Sequence, residues 1–277
     1  MRLPVFACFS VLLASAAFAQ TPGVPPGTSR YTLVEADNGK AVGSAEATVA
    51  AIPGGYQITS HGDLKMAKFT YSFSNDNRLD SRLNIVRDQL SGTVNGAQVT
   101  FNLDSDATGR QFQISINASG KTTTNTVDRH QHLALLPDLD PAAYIEMTHF
   151  ALDHPPTTWI VIPKQNGLLV PADYNAKPDV SATLDGRATT VHQTSVIVSE
   201  QNGISVELYY AGDGQLLEAD LPEQNFYVVR DGFRLQNRPH YEPPRGSAPP
   251  PGAQQPGSEQ PGAQQPGPAS PPQPQNF

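Results

Sequence analysis

Asp128, His130 and His132 are the side chains best suited to chemistry in this 277-residue chain. At alternate positions of one strand they would share a face, about 6.6 Å apart along it. Two imidazoles and a carboxylate are zinc-ligand types, and a metal there would suit a hydrolase. A solvated strand face carries the same residues freely, and a further ligand would have to come from elsewhere in the fold. Glu146 and His149 stand at helical i, i+3 spacing, which metal-binding helical bundles use in duplicate from facing helices. A single copy on one short helix reads as a surface pair. His61, His192 and His240 are isolated and read as structural or exposed.

Other chemical signatures are missing from the sequence. There is no Gly-x-Ser-x-Gly nucleophile turn and no glycine-rich phosphate loop opening a helix. Asp104, Asp106 and Gly109 lack the regular calcium spacing. Carboxylate pairs for sugar cleavage depend on the fold, so spacing neither names nor excludes them. No cofactor is implied. Asn117-Ala118-Ser119 is a formal glycosylation sequon, relevant only in a eukaryotic secretory pathway.

The elements that position these groups begin with an address. Residues 1–19 read as a cleaved signal peptide: Arg2 is the charged start, Val5 to Ala19 the apolar run, and Ala17-Phe18-Ala19 the small-x-small site. The run is too short to span a bilayer. A periplasmic or secreted mature chain is expected, starting near Gln20. Cleavage removes Cys8, the only cysteine, so no disulfide is expected. Loss of Arg2 leaves 17 basic against 26 acidic side chains. Without a Lys/Arg cluster, nucleic acid and anionic membrane surfaces are poor partners. No later apolar run reaches spanning length, so no transmembrane segment is expected.

Residues 20–29 read as a Pro/Gly linker and 30–238 as one domain. From Pro239 to Phe277 a five-residue repeat runs through Pro251, Pro256 and Pro261, and this tail holds half of the 26 prolines. It cannot bury enough apolar surface to offset its ordering entropy, so disorder is expected. An inert tail and a segment docking on an envelope protein partner both fit it. Phe277 ends a Pro/Gln tract and not an amphipathic strand, unlike the last residue of an outer-membrane barrel.

The domain has the grammar of a β-meander. Asn38-Gly39, Gly54-Gly55, Asn95-Gly96, Asp185-Gly186, Asn202-Gly203 and Asp213-Gly214 suit tight turns with positive φ. Between them apolar residues alternate: Phe69, Tyr71, Phe73; Val99, Phe101, Leu103; Phe112, Ile114, Ile116; Ile204, Val206, Leu208, Tyr210. Period two predicts antiparallel strands with one wet and one dry face. Asp140-Pro141 opens a helix over about 140–152, with Ala143, Met147, Phe150 and Ala151 on its apolar side and Pro155-Pro156 stopping it. Trp159 to Ile162 reads as a central strand. The fold class expected is mainly β: a long curved antiparallel sheet of ten to twelve strands, an open or half-barrel meander, with one short helix packed on the concave face.

Two stretches carry a resemblance: Leu136-Pro137-Asp138-Leu139-Asp140 through Trp159-Ile160-Val161-Ile162-Pro163, and Val206 to Tyr210 with Gly212-Asp213-Gly214, Gln215 to Glu218 and Leu221-Pro222. The chain resembles a loose group of exported bacterial β-rich proteins of uncharacterised function. More distantly it is similar to the periplasmic lipoprotein-carrier proteins, whose curved half-barrel wraps a helix. The resemblance implies binding of an acyl chain or apolar ligand and no catalytic residues. Phe69, Tyr71, Phe101, Phe112, Ile114 and Trp159 are the candidate lining of such a concavity, and they could equally be plain core. The alternatives are an envelope interaction module that uses the tail, and an envelope hydrolase with a metal at Asp128, His130 and His132.

Overall fold

The computed structural model describes residues 24–136, 139–199 and 204–238. The segments read as signal peptide and repeat tail fall outside them, as do His240 and the Asn202-Gly203 turn. Val24 is buried and the first strand starts at Gly27, so the described fold begins inside the segment read as linker.

Among the described residues sixteen strands form where ten to twelve were expected. The first half comprises β1 (Gly27–Glu35), β2 (Lys40–Ile52), β3 (Gly55–Lys65), β4 (Thr70–Asp80), β5 (Ile85–Val94), β6 (Ala97–Ser105), β7 (Gln111–Ala118) and β8 (Lys121–Asp128). The second comprises β9 (Leu133–Leu135), β10 (Thr158–Ile162), β11 (Leu168–Leu184), β12 (Arg187–Ser199), β13 (Ile204–Tyr210), β14 (Leu216–Leu221), β15 (Phe226–Arg230) and β16 (Phe233–Leu235). Helix α1 (Pro141–Asp153) lies between β9 and β10. Two of the two-residue turns have positive φ at both central residues, 51° and 82° at Asn95-Gly96 and 50° and 75° at Asp185-Gly186. That geometry matches the twist of the flanking strands.

The strands join in one curved sheet that does not close into a barrel. Its order is β8-β7-β6-β5-β4-β3-β2-β1-β15-β14-β13-β12-β11-β10-β9, so the first strand and a late one meet in the middle. Neighbours are antiparallel except β9, which runs parallel to β10. β10, read as central, lies next to this edge. The chain crosses from one edge strand, β8, to the other, β9, in only a few residues, and then forms the helix inside the curve.

Asp140 caps α1 by accepting the Ala142 N–H at 2.9 Å, Pro141 occupies the first turn, and His154 ends the helix in the left-handed region. Every residue from Pro141 to Ala151 is buried. This corrects the surface-pair reading of Glu146 and His149: a sheet that curves round the helix leaves it no wet face. The expectation of one wet sheet face also fails locally. On β13 and β14 both faces are buried, with Leu208, Tyr210 and Leu216 in the main core and Tyr209 and Leu217 in a second cluster with Ala182, Val191 and Phe233. Pro178 cannot donate to the ladder, and the β11–β12 register shifts between Lys177 and Val180. Beyond this shift β11 takes β16 as a second partner, which brings Phe233 into the outer cluster.

Candidate functional site

The inner face of the curve carries an apolar cleft and, beneath α1, a polar layer. The cleft has a volume of about 660 Å³, within the range of ligand sites. One wall comes from β4–β7, with Tyr71, Leu90, Val99, Phe101 and Ile116, and from Phe69 before β4. Period-two alternation sends these side chains to one face, and the Phe69, Tyr71 and Phe73 rings stack in a ladder with centroids 6.5 and 5.4 Å apart. Leu136 and Leu139 before α1, with Ile162, Ile204 and Phe226, form the facing wall. Thr100, Lys164, Gln165, Asn166 and Gln224 supply its polar groups. Among the described lining residues there is no carboxylate, imidazole or thiol.

Of the six residues expected to line a concavity, Phe69, Tyr71 and Phe101 face this cleft. Phe112 and Ile114 do not; they are closed into the core, 0% and 1% exposed. The turn after β10 lies on Ile114, close enough that a Cβ on Gly167 would sit 3.1 Å from its methyl group. Trp159 also stands outside, its ring 4.1 Å from that of His130. The facing wall was missed because Leu136, Leu139 and Phe226 belong to separate elements that the sheet's curvature brings together.

Asp128, His130 and His132 do not share a strand face, which corrects the geometry expected of them. β8 ends at Asp128, and His132 has a φ of 54°, because the chain must leave one sheet edge for the other. Asp128 accepts from Gln111 Nε2 at 3.3 Å, and His132 meets Phe150 edge-on at 5.7 Å. Among the described residues no three His, Cys, Asp or Glu side chains converge on a metal position.

The polar layer sits on β3–β5, where Ser60 faces Asn75 and Asn77 faces Asp88 across the strands. A signal for it exists in the sequence: Asn75 and Asn77 share the inward parity of Phe73 and Leu79. Asp140 accepts from Ser60 Oγ at 2.5 Å and Asn75 Nδ2 at 2.7 Å, and Glu146 accepts from Asn77 Nδ2 at 3.3 Å. Among the described residues neither oxygen of Asp88 has a hydrogen bond of ordinary geometry, although the Asn75 amide acts on it and opposes the upward shift. Burial pushes Asp88 and Glu146 well above the usual carboxylate range; Asp140 adds to the effect on Asp88, and Asp88 to that on Glu146. Burial raises Asp140 too, against its three donors. At the far end of α1, burial pushes His149 down to about 4, opposed by Asp153 and Asp213.

The sequence matches no family model and no curated protein. Among solved structures, a beta-barrel-like protein of the domain of unknown function DUF1849 from Brucella abortus aligns with TM-score 0.50 and 9% identity, over 76% of this chain and 98% of its own. A Bacteroides fragilis protein with a YmcC-like fold aligns over 75% of this chain and 94% of its own, at 8% identity and TM-score 0.28. The first of these likenesses is one of architecture: the chain has the fold of a bacterial β-rich domain of unknown function.

Proposed function

We propose that this is an exported binding protein that holds an apolar or acyl ligand in the cleft between β4–β7 and the segment leading into α1. The observation that carries the reading is the cleft itself, about 660 Å³ with apolar walls and its polar groups confined to a few side chains. Ligand sites of small molecules have this make-up. The described walls offer no nucleophile with a neighbouring base and no acid–base pair, which favours binding over catalysis. Export rests on the pattern of residues 2–19. Among the described residues no helix is long and apolar enough to cross a membrane.

Displacement of a fluorescent fatty acid from the purified protein tests the reading. Saturable binding is expected, weakened at least roughly tenfold by Ile116→Glu, which places a carboxylate against the apolar chain. Trp159→Phe, outside the cleft, leaves the affinity unchanged. Failure of the wild-type protein to saturate, or equal loss in both variants, refutes a ligand site here.

A further inference from the structure

We propose that the polar layer beneath α1 is a site for a hard divalent cation of the calcium type, held by oxygens of Asn75, Asn77, Asp88 and Glu146. Among the described residues, five acceptor oxygens of this layer lack a hydrogen bond of ordinary geometry: Asn75 Oδ1, Asn77 Oδ1, both carboxyl oxygens of Asp88, and Glu146 Oε1, although the Asn75 amide acts on Asp88 as a donor. All four residues are at most 3% exposed. Acceptors left unsatisfied at that depth cost about 1–3 kcal/mol each. The two amides are oriented by their other ends, since Asn75 Nδ2 donates to Asp140 and Asn77 Nδ2 to Glu146. Their carbonyl oxygens are therefore left free in the same layer as Asp88, the direct cross-strand partner of Asn77. Three carboxyl groups share the layer, and among the described residues no cationic side chain acts on any of them.

The donor chemistry selects the ion. The orphaned atoms are all oxygens, without sulfur or imidazole, which suits calcium and not zinc or copper. Carboxylates and imidazoles do not converge in threes among the described residues; the proposed shell therefore draws on the Asn75 and Asn77 amide oxygens, a ligand type that calcium commonly takes. The layer is enclosed between sheet and helix, so the ion enters as the chain folds and its binding free energy appears as stability. Protons on Asp88 and Glu146 are the competing occupants.

Metal analysis of the purified full-length protein, with refolding from urea in Ca²⁺ or EGTA at neutral pH, separates the two. Close to one Ca²⁺ per chain is expected, with a Tm rise of roughly 5–10 °C at a Ca²⁺ concentration about 100 times the dissociation constant. Asp88→Asn should keep the fold and lose the rise. Should that variant not fold, Asn77→Leu, which removes an oxygen and no charge, should show the same loss. A metal-free protein whose Tm is equal in Ca²⁺ and EGTA overturns the site and assigns the layer to protons. So does a full Ca²⁺ response in both variants.

Discussion

Acid should destabilise this protein through His149, by an amount the structure allows to be worked out. The imidazole is buried at the far end of α1 with Nε2 unpaired, against the Asp213-Gly214 turn and Leu152. Burial lowers its pKa from 6.5 to about 4, with Asp153 and Asp213 opposing. A base that is harder to protonate when folded makes the unfolded chain the better proton acceptor between these two values. Its contribution is intact above pH 6.5 and is lost as the pH falls toward 4. A shift of this size corresponds to about 3 kcal/mol at pH 4. The assay is urea unfolding at pH 7, 5.5 and 4 for the wild type and His149→Gln, whose amide has no charge to gain. Raised carboxyls elsewhere push the slope the other way in both proteins, so the difference between the two curves isolates His149. The wild type should lose about 3 kcal/mol more than the variant across this range. Parallel curves would refute the argument, because they would mean the imidazole is solvated in the folded state.

Two further substitutions probe how the sheet is built. Gly92 of β5 lies so close to β4 that a Cβ would overlap the Ser72 carbonyl oxygen; Gly92→Ala should cost about 3 kcal/mol in urea unfolding, and a change within experimental error would show that the strands can move apart freely. Arg238 grips Glu218, which is fully buried, through two hydrogen bonds of 2.5 and 2.7 Å and stacks on Tyr227 at 3.7 Å. Arg238→Ala strands that carboxylate and should cost about 3 kcal/mol, most of it recovered by adding Glu218→Leu. No recovery in the double variant would place the loss in the Tyr227 stacking or in the contact of Arg238 with buried Asp220 at 3.4 Å.

Local rules made much of this architecture readable. Alternation over Phe101–Leu103 and Phe112–Ile116, the Asn95-Gly96 and Asp185-Gly186 turns, and the Asp140-Pro141 start of the helix each depend on residues a few positions apart. Strand parity, turn type and helix capping are decided at that range, so the mainly β class with one interior helix was legible from the sequence. Tyr71 and Phe101 were placed on the correct face for the same reason. What alternation does not report is the surface that a face will meet. Glu146 looked exposed because helical spacing says nothing about a sheet wrapped round the helix; its partner Asn77 lies 69 residues away. The parallel β9, the pairing of β1 with β15 and the outer cluster around Phe233 come from pairings between strands distant in sequence, and the joining of Phe226 and Leu136 to the wall opposite Phe101 comes from sheet curvature. Curvature is a property of many strands packed together and has no local code, so the cleft was decided by the tertiary structure, and the oxygen layer showed locally only in the inward parity of Asn75 and Asn77.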